Sequence, residues 1–139
     1  MPRYLLDTNI LSELVRSSGG PIVAKVSRLS RAMRRSLCTS IICAGELRYG
    51  AVKKGSPRLH QRVEDILQMI QVLPLEEEAD RHYSRIRAHL ERIGSTIGAN
   101  DLLIAAHALS SDCILVTDNV REFGRVPDLQ VENWLRPTR

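Results

Sequence analysis

Aromatic residues, cysteine and long apolar stretches are all scarce in this chain, and each scarcity argues against a class of function. One Trp, one Phe and three Tyr among 139 residues leave few rings on which nucleobases could stack, so stacking is not expected to dominate any recognition of a nucleic acid. Three cysteines, Cys38, Cys43 and Cys113, form no Cys-x-x-Cys pair. That disfavours redox and zinc chemistry and predicts buried, inert thiols. The four histidines, His60, His82, His89 and His107, lie in helical patterns without His-Glu-x-x-His spacing, which predicts packing or surface roles over metal ligation. The eight glycines form neither a Gly-x-Gly-x-x-Gly run nor a P-loop, which disfavours a nucleotide-binding α/β protein. No apolar run approaches the roughly 20 residues of a membrane span. The N-terminus lacks a charged region followed by a long apolar one, so a cytoplasmic protein with no membrane association is expected.

What is present is a pattern of short apolar strands alternating with amphipathic helices. At 139 residues and 43% hydrophobic content, the chain can bury one proper core, and residues 1–139 are expected to form a single domain. Strands are predicted near residues 3–7, 36–39, 71–73 and 113–117, with a last one near 130–132. Helices between them imply a three-layer α/β/α sandwich around a mostly parallel sheet of four to five strands. Ser56-Pro57 opens a helix with Leu59, Val63, Ile66, Leu67 and Ile70 on one side. Glu76-Glu77-Glu78 is expected to begin another, with Ala79, Tyr83, Ile86, Leu90 and Ile93 at helical spacing and Gly94 as the stop. The acidic triplet suits the positive end of a helix and is read as structural.

Charge is distributed unevenly. Residues 1–62 hold twelve Lys and Arg against three acids, whereas residues 63–139 hold eight against thirteen. Residues 25–35 contain five basic side chains and no acid, with Pro21 placed as a first helical residue. On one helix, Arg28, Arg31 and Arg35 would share a face opposite Val26, Leu29 and Met33. Such a cationic face suits a nucleic-acid backbone, giving salt-dependent affinity with little sequence information.

Four acids stand out by context: Asp7, Glu46, Asp101 and Asp118. Tyr4-Leu5-Leu6 breaks at Asp7-Thr8-Asn9, and Cys113-Ile114-Leu115-Val116 breaks at Thr117-Asp118-Asn119. Two buried strands ending in such tripeptides gather polar groups at one edge of a parallel sheet, where open α/β folds bind ligands. Ser40 is expected to cap a helix carrying Glu46 and ending near Gly50, and Asn100 to cap one whose first turn holds Asp101. Two carboxylates about 4 Å apart repel by roughly 4 kcal/mol at an effective dielectric of 20, and a cation removes that conflict. All-oxygen ligands favour Mg²⁺ or Mn²⁺ over zinc, and such an ion suits phosphodiester hydrolysis without a nucleophilic side chain. Asn9 and Asn119 would orient ligands or waters, and Thr8 and Thr117 would hydrogen-bond the carboxylates.

Asp7-Thr8-Asn9, residues 46–51, residues 97–108, and Val116-Thr117-Asp118-Asn119 through Arg121-Glu122-Phe123 together resemble the PIN-domain family, more narrowly the VapC-type toxins of bacterial toxin–antitoxin pairs. The similarity runs in order over essentially the whole chain. It implies an α/β/α sandwich and a Mg²⁺- or Mn²⁺-dependent ribonuclease whose acidic quartet is Asp7, Glu46, Asp101 and Asp118. It also implies a homodimer and a small VapB-like antitoxin that blocks the active site and forms a larger DNA-binding complex with the toxin. Many relatives carry Pro where Ala99 stands and Asn where Asp118 stands. Endonucleolytic cleavage of RNA is therefore expected, with Arg28, Arg31 and Arg35 meeting RNA or an acidic antitoxin segment. A housekeeping PIN nuclease of RNA maturation would share these motifs, whereas a non-catalytic binding module would be expected to lose an acid. Leu11, Leu14 and the amphipathic second helix are candidates for a dimer surface.

Overall fold

The structure, a computed structural model, describes residues 2–17 and 19–136. Its framework is a five-stranded sheet, β1 (Arg3–Leu6), β2 (Leu37–Ser40), β3 (Gln71–Leu73), β4 (Cys113–Val116) and β5 (Val131–Glu132), in the order β3-β2-β1-β4-β5. Every pairing is parallel, so each connection must cross over, and helices supply the crossovers. The inner strands are accordingly apolar on both faces: Leu5, Leu6, Cys38, Leu115 and Val116 are fully buried. The chain steps from β1 outward through β2 to β3, then returns to the other side of β1 for β4. This reversal opens a crevice at the carboxyl ends of β1 and β4.

Eight helices among the described residues cover the sheet: α1 (Thr8–Arg16), α2 (Pro21–Arg28), α3 (Arg31–Arg35), α4 (Ile41–Lys54), α5 (Pro57–Met69), α6 (Ala79–Arg92), α7 (Ala99–Ser110) and α8 (Val120–Phe123). The α/β/α sandwich expected from the sequence is the observed fold. Among the described residues, no helix is long and apolar enough to cross a membrane.

Helix ends are where the sequence expectations need correcting. The helix expected through residues 25–35 is two helices, because Ser30 Oγ accepts the Met33 N–H at 3.2 Å and caps α3. A serine that captures a backbone donor competes with helix continuation. Arg28 therefore does not share a helix with Arg31 and Arg35, although all three are exposed while Val26, Leu29 and Met33 are half-buried. Arg34 Nη2 donates to the Ser27 carbonyl at 2.9 Å and ties the two pieces together.

Helix α4 is capped by Ser40 as expected but passes Gly50 and stops at Gly55, whose φ of +64° makes the left-handed turn. Gly98, not Asn100, precedes α7, so Asn100 and Asp101 both lie in its first turn. The acidic triplet lies before α6: Glu78 adopts φ +79°, and the helix begins at the buried Ala79, where its apolar face begins. Ile93, placed on that apolar face, is 54% exposed because the helix has ended by then. Leu11 is fully buried within the chain and Leu14 packs against the core, so Leu11 is not available to a dimer surface.

Candidate active site and metal centre

Register sets the site. Leu6 and Val116 are partners in the β1–β4 ladder, and the Asp7 N–H extends it to the Val116 carbonyl at 2.9 Å. Asp7 and Thr117 therefore leave the sheet side by side. Asp7 also serves as the cap of α1, with its Oδ1 accepting the Thr8 N–H at 2.8 Å. Its Oδ2 accepts the Thr117 hydroxyl at 2.7 Å and the Asn9 amide at 3.3 Å.

Glu46 arrives one and a half turns along α4. Thr8 Oγ1 donates to Glu46 Oε1 at 2.7 Å, and Asn100 Nδ2 donates to Oε2 at 3.2 Å. One hydroxyl thus links the start of α1 to α4, and one amide links α4 to α7. Ligand atoms of Asp7, Cys43 and Glu46 all lie within 4.8 Å of one another. Cys43 stands one turn before Glu46, and its thiol lies 3.7 Å from Asp7 Oδ1 as a donor.

Asp101 joins from the first turn of α7. Asn119 Nδ2 reaches Asp101 Oδ2 at 3.5 Å and also donates to Glu122 Oε2. Glu122 Oε1 accepts the Gly98 N–H at 3.2 Å, supplying from another segment the carboxylate that a capping box supplies from within its own helix. Glu122, part of the Arg121-Glu122-Phe123 run, is a site residue to which the sequence pattern alone assigns no role. Its signal is the Asn119-x-x-Glu122 spacing, which puts both side chains on one face of a single turn.

Asp118 behaves differently. Its N–H donates to Asn9 Oδ1 at 3.0 Å, but its carboxylate faces the end of the chain, where Oδ1 accepts from Asn133 Nδ2 and Arg136 Nε, both at 3.0 Å. The structure thus joins Asp7 and Glu46 through Thr8, sets Asp101 beside that pair, outside the Asp7–Cys43–Glu46 cluster, through Asn119 and the Asn100–Glu46 contact, and leaves Asp118 at the rim. Arg28, Arg31 and Arg35 lie on α2 and α3, outside these contacts.

Electrostatics match this geometry. Burial raises the Asp7 carboxyl above its ordinary range; the Thr117 hydroxyl and Thr8 N–H pull it back, and the Glu46 charge adds to the rise. Asp101 is pushed up to about 7, first by burial, then by sharing with Glu122, with the charges of Glu122, Asp7 and Glu46 adding to it. Glu122 moves down because the Asn119 amide and Asp101 donate to it. Burial and the Asp7 charge raise the Cys43 thiol, so it stays protonated and serves as a donor. The donor set offered to a cation is then carboxylate oxygen without imidazole or thiolate, and its negative charges are unresolved among themselves. That chemistry fits a hard divalent ion.

The other cysteines, Cys38 and Cys113, are buried with sulfurs 3.9 Å apart, and all three are free. His107 is 1% exposed and pairs through Nδ1 with Ser40 Oγ at 2.6 Å. It is a packing residue between α7 and the cap of α4.

A sheet of this order, with acids at its switch point, defines a class that comparison with known proteins identifies. The PIN domain model matches residues 4–129, and the chain belongs to the PIN-domain family, on its VapC-type branch. It is 38% identical over 136 residues to ribonuclease VapC2 of Haemophilus influenzae, covering 97% of this chain and 100% of that protein. Its identity to the tRNA(fMet)-specific endonuclease VapC of Salmonella typhimurium is 34% over 135 residues, covering 96% of this chain and 99% of that one. Among solved structures, VapBC2 from Rickettsia felis bound to a promoter DNA fragment superposes with a TM-score of 0.86 at 32% identity, covering 94% of this chain and 98% of that one.

Proposed function

We propose that this protein is a Mg²⁺- or Mn²⁺-dependent endoribonuclease and the toxin of a toxin–antitoxin pair, formed by residues 1–139 as one nuclease domain acting in the cytoplasm. The observation that carries the reading is the convergence of Asp7, Glu46 and Asp101 at the carboxyl edge of β1 and β4. It is supported by relatives of nearly equal length named as ribonucleases.

In this reading Asp7, Glu46 and Asp101 hold the cation, and Asp118 contributes from the rim, directly or through a water. When bound, the ion supplies a water of lowered pKa and neutralises charge on the attacked phosphate. Thr117 and the Thr8 N–H oppose the rise that burial imposes on the Asp7 carboxyl. The two weakest contacts of Asp7, with Asn9 at 3.3 Å and Cys43 at 3.7 Å, are the ones a cation replaces at least cost. Asn119 holds Asp101 and Glu122 together, and Glu122 sets the start of α7. Thr8 and Asn100 fix the two oxygens of Glu46. No side chain here is placed as a nucleophile, so the attacking group is water.

Arg28, Arg31 and Arg35 supply a cationic flank for the RNA backbone. A VapB-like antitoxin that covers the site is the expected partner, with the toxin as a homodimer and the pair forming a larger DNA-binding complex. Solved relatives described as VapBC assemblies, one bound to promoter DNA, support the VapB-like partner and the DNA-binding complex.

Incubation of total cellular RNA with purified, antitoxin-free protein tests the reading. Discrete fragments with Mg²⁺ or Mn²⁺ and none with EDTA are expected, and mapping their ends would identify the substrate. Intact RNA in the presence of a bound divalent ion would count against a general ribonuclease.

A further inference from the structure

We propose that Arg136 is an RNA phosphate contact, held at the rim of the acidic cleft by Asp118 and Asn133; this rests on the ribonuclease reading above. Strand β5 ends at Glu132, whose carbonyl accepts the Thr117 N–H at 2.9 Å, so the chain leaves the sheet beside the site. There Asn133 organises a turn. Its Oδ1 accepts the N–H groups of Leu135 at 2.9 Å and Arg136 at 3.3 Å, while its Nδ2 donates to Asp118. Trp134 anchors the same segment from the other side, with its ring 5.4 Å from Tyr4 and Lys25 Nζ 5.4 Å from its centroid.

The result is an arginine with a fixed base and an open end. Among the described residues the guanidinium is tied through Nε to Asp118, and the side chain is 78% exposed. Among the described residues Nη1 and Nη2 make no hydrogen bond, and they carry the fork geometry that suits phosphate oxygens. An exposed ion pair adds little to stability, so stability does not account for three residues converging on this arrangement. Placement does. Hydrogen bonds run from Asp7 Oδ2 through Asn9 to the Asp118 N–H, and Asp118 Oδ1 holds Arg136, while Lys25, over the Trp134 ring, lies one turn before Arg28 on α2. RNA crossing the cleft would meet a cation at the one acid whose carboxylate is turned away from the others. Asp118 is thus a positioning residue for Arg136 in addition to any role toward the ion.

The test measures binding of fluorescently labelled bulk transfer RNA and of a single-stranded oligoribonucleotide by full-length Asp7→Asn protein, in Mg²⁺ buffer at several salt concentrations. Adding Arg136→Ala is expected to weaken binding by about fivefold near 0.1 M salt and to reduce the log–log salt slope by about 0.7 to 0.9. In the cleaving protein, the same substitution raises KM by a similar factor with kcat nearly unchanged. Asp118→Ala, compared in EDTA so that any contribution through the ion drops out, discriminates further: removing a negative charge near RNA would by itself tighten binding, whereas loss of the arginine's anchor weakens it. Arg81→Ala on α6 is the control for general charge. A loss for Arg136→Ala no greater than for Arg81→Ala, or tighter binding by Asp118→Ala, overturns the proposal. If the Asp7→Asn parent binds no RNA at all, the ribonuclease reading itself fails.

Discussion

Thr117 donates its hydroxyl to Asp7 Oδ2 at 2.7 Å although 110 residues separate them. Its Oγ1 also accepts the Asn9 amide at 3.2 Å and the Asn119 N–H at 3.0 Å. The contact exists because Leu6 and Val116 are register partners, so the polar residue after each strand meets the other at the mouth of the crevice. One buried hydroxyl thereby holds the principal acid, its neighbouring amide and the start of the next segment.

Thr117→Val keeps the shape and removes that hydroxyl. Leaving buried partners unsatisfied should cost about 1–3 kcal/mol of stability, read from urea unfolding. The Asp7 carboxyl, already raised by burial, should rise further, so cleavage falls and the acid limb of the pH–rate profile moves to higher pH. A profile unchanged in position would show that Thr117 does not govern Asp7.

Asp101 gives the protein without added metal an unusual pH dependence. Its carboxyl is pushed up from 3.8 to about 7, so between those values the folded chain keeps a proton that the unfolded chain has released. That contribution is fully present below 3.8 and lost as pH rises through about 7. Asp7 acts in the same direction. Glu122, shifted down from 4.5, loses its contribution only as pH falls below that value. His107, lowered from 6.5 by burial, opposes the trend, so the comparison must be with Asp101→Asn. The melting temperature of the wild type relative to Asp101→Asn should fall as pH rises from about 4.5 to about 8. A difference independent of pH would contradict the assignment.

Metal binding should compete with the same proton. Mn²⁺ affinity, measured by calorimetry, should drop as pH falls below about 7 because Asp101 must be ionised to bind. Glu122→Gln removes the carboxylate that shares the proton, so this drop should move to lower pH, while affinity at pH 8 should weaken by about threefold to tenfold for the lost nearby charge. Equal pH dependence in both proteins would separate Glu122 from the site.

Much of this was legible in the sequence because it rests on strand ends. The short apolar runs 4–6 and 113–116 each break at a polar tripeptide, and a parallel sheet leaves little freedom in where those breaks lie. The Ser40 cap and the Ser56-Pro57 start were legible for a similar reason, since each is a side-chain acceptor or ring acting on its own backbone. Local signals failed where two outcomes compete. Ser30 reads equally well as an interior residue or as a cap, and Gly50 as a stop or as an open position in a helix that continues to Gly55. Side-chain direction was not legible at all. Asp118 matches the acidic pattern yet turns toward Asn133 and Arg136, whereas Glu122, one turn further on, faces Asp101. That choice depends on where β5 delivers the end of the chain, which no local pattern encodes.

The central claim is that a cation held by Asp7, Glu46 and Asp101 is what makes this protein cut RNA. The most direct measurement is the cleavage rate as a function of Mn²⁺ concentration for wild type and Asp7→Asn purified side by side, with folding checked by circular dichroism. Saturable, metal-dependent cleavage by the wild type and at least a hundredfold loss in a folded Asp7→Asn protein are predicted, about the scale of losing an interaction made at the reacting centre. Equal cleavage by the two proteins, or cleavage that survives EDTA, would contradict it.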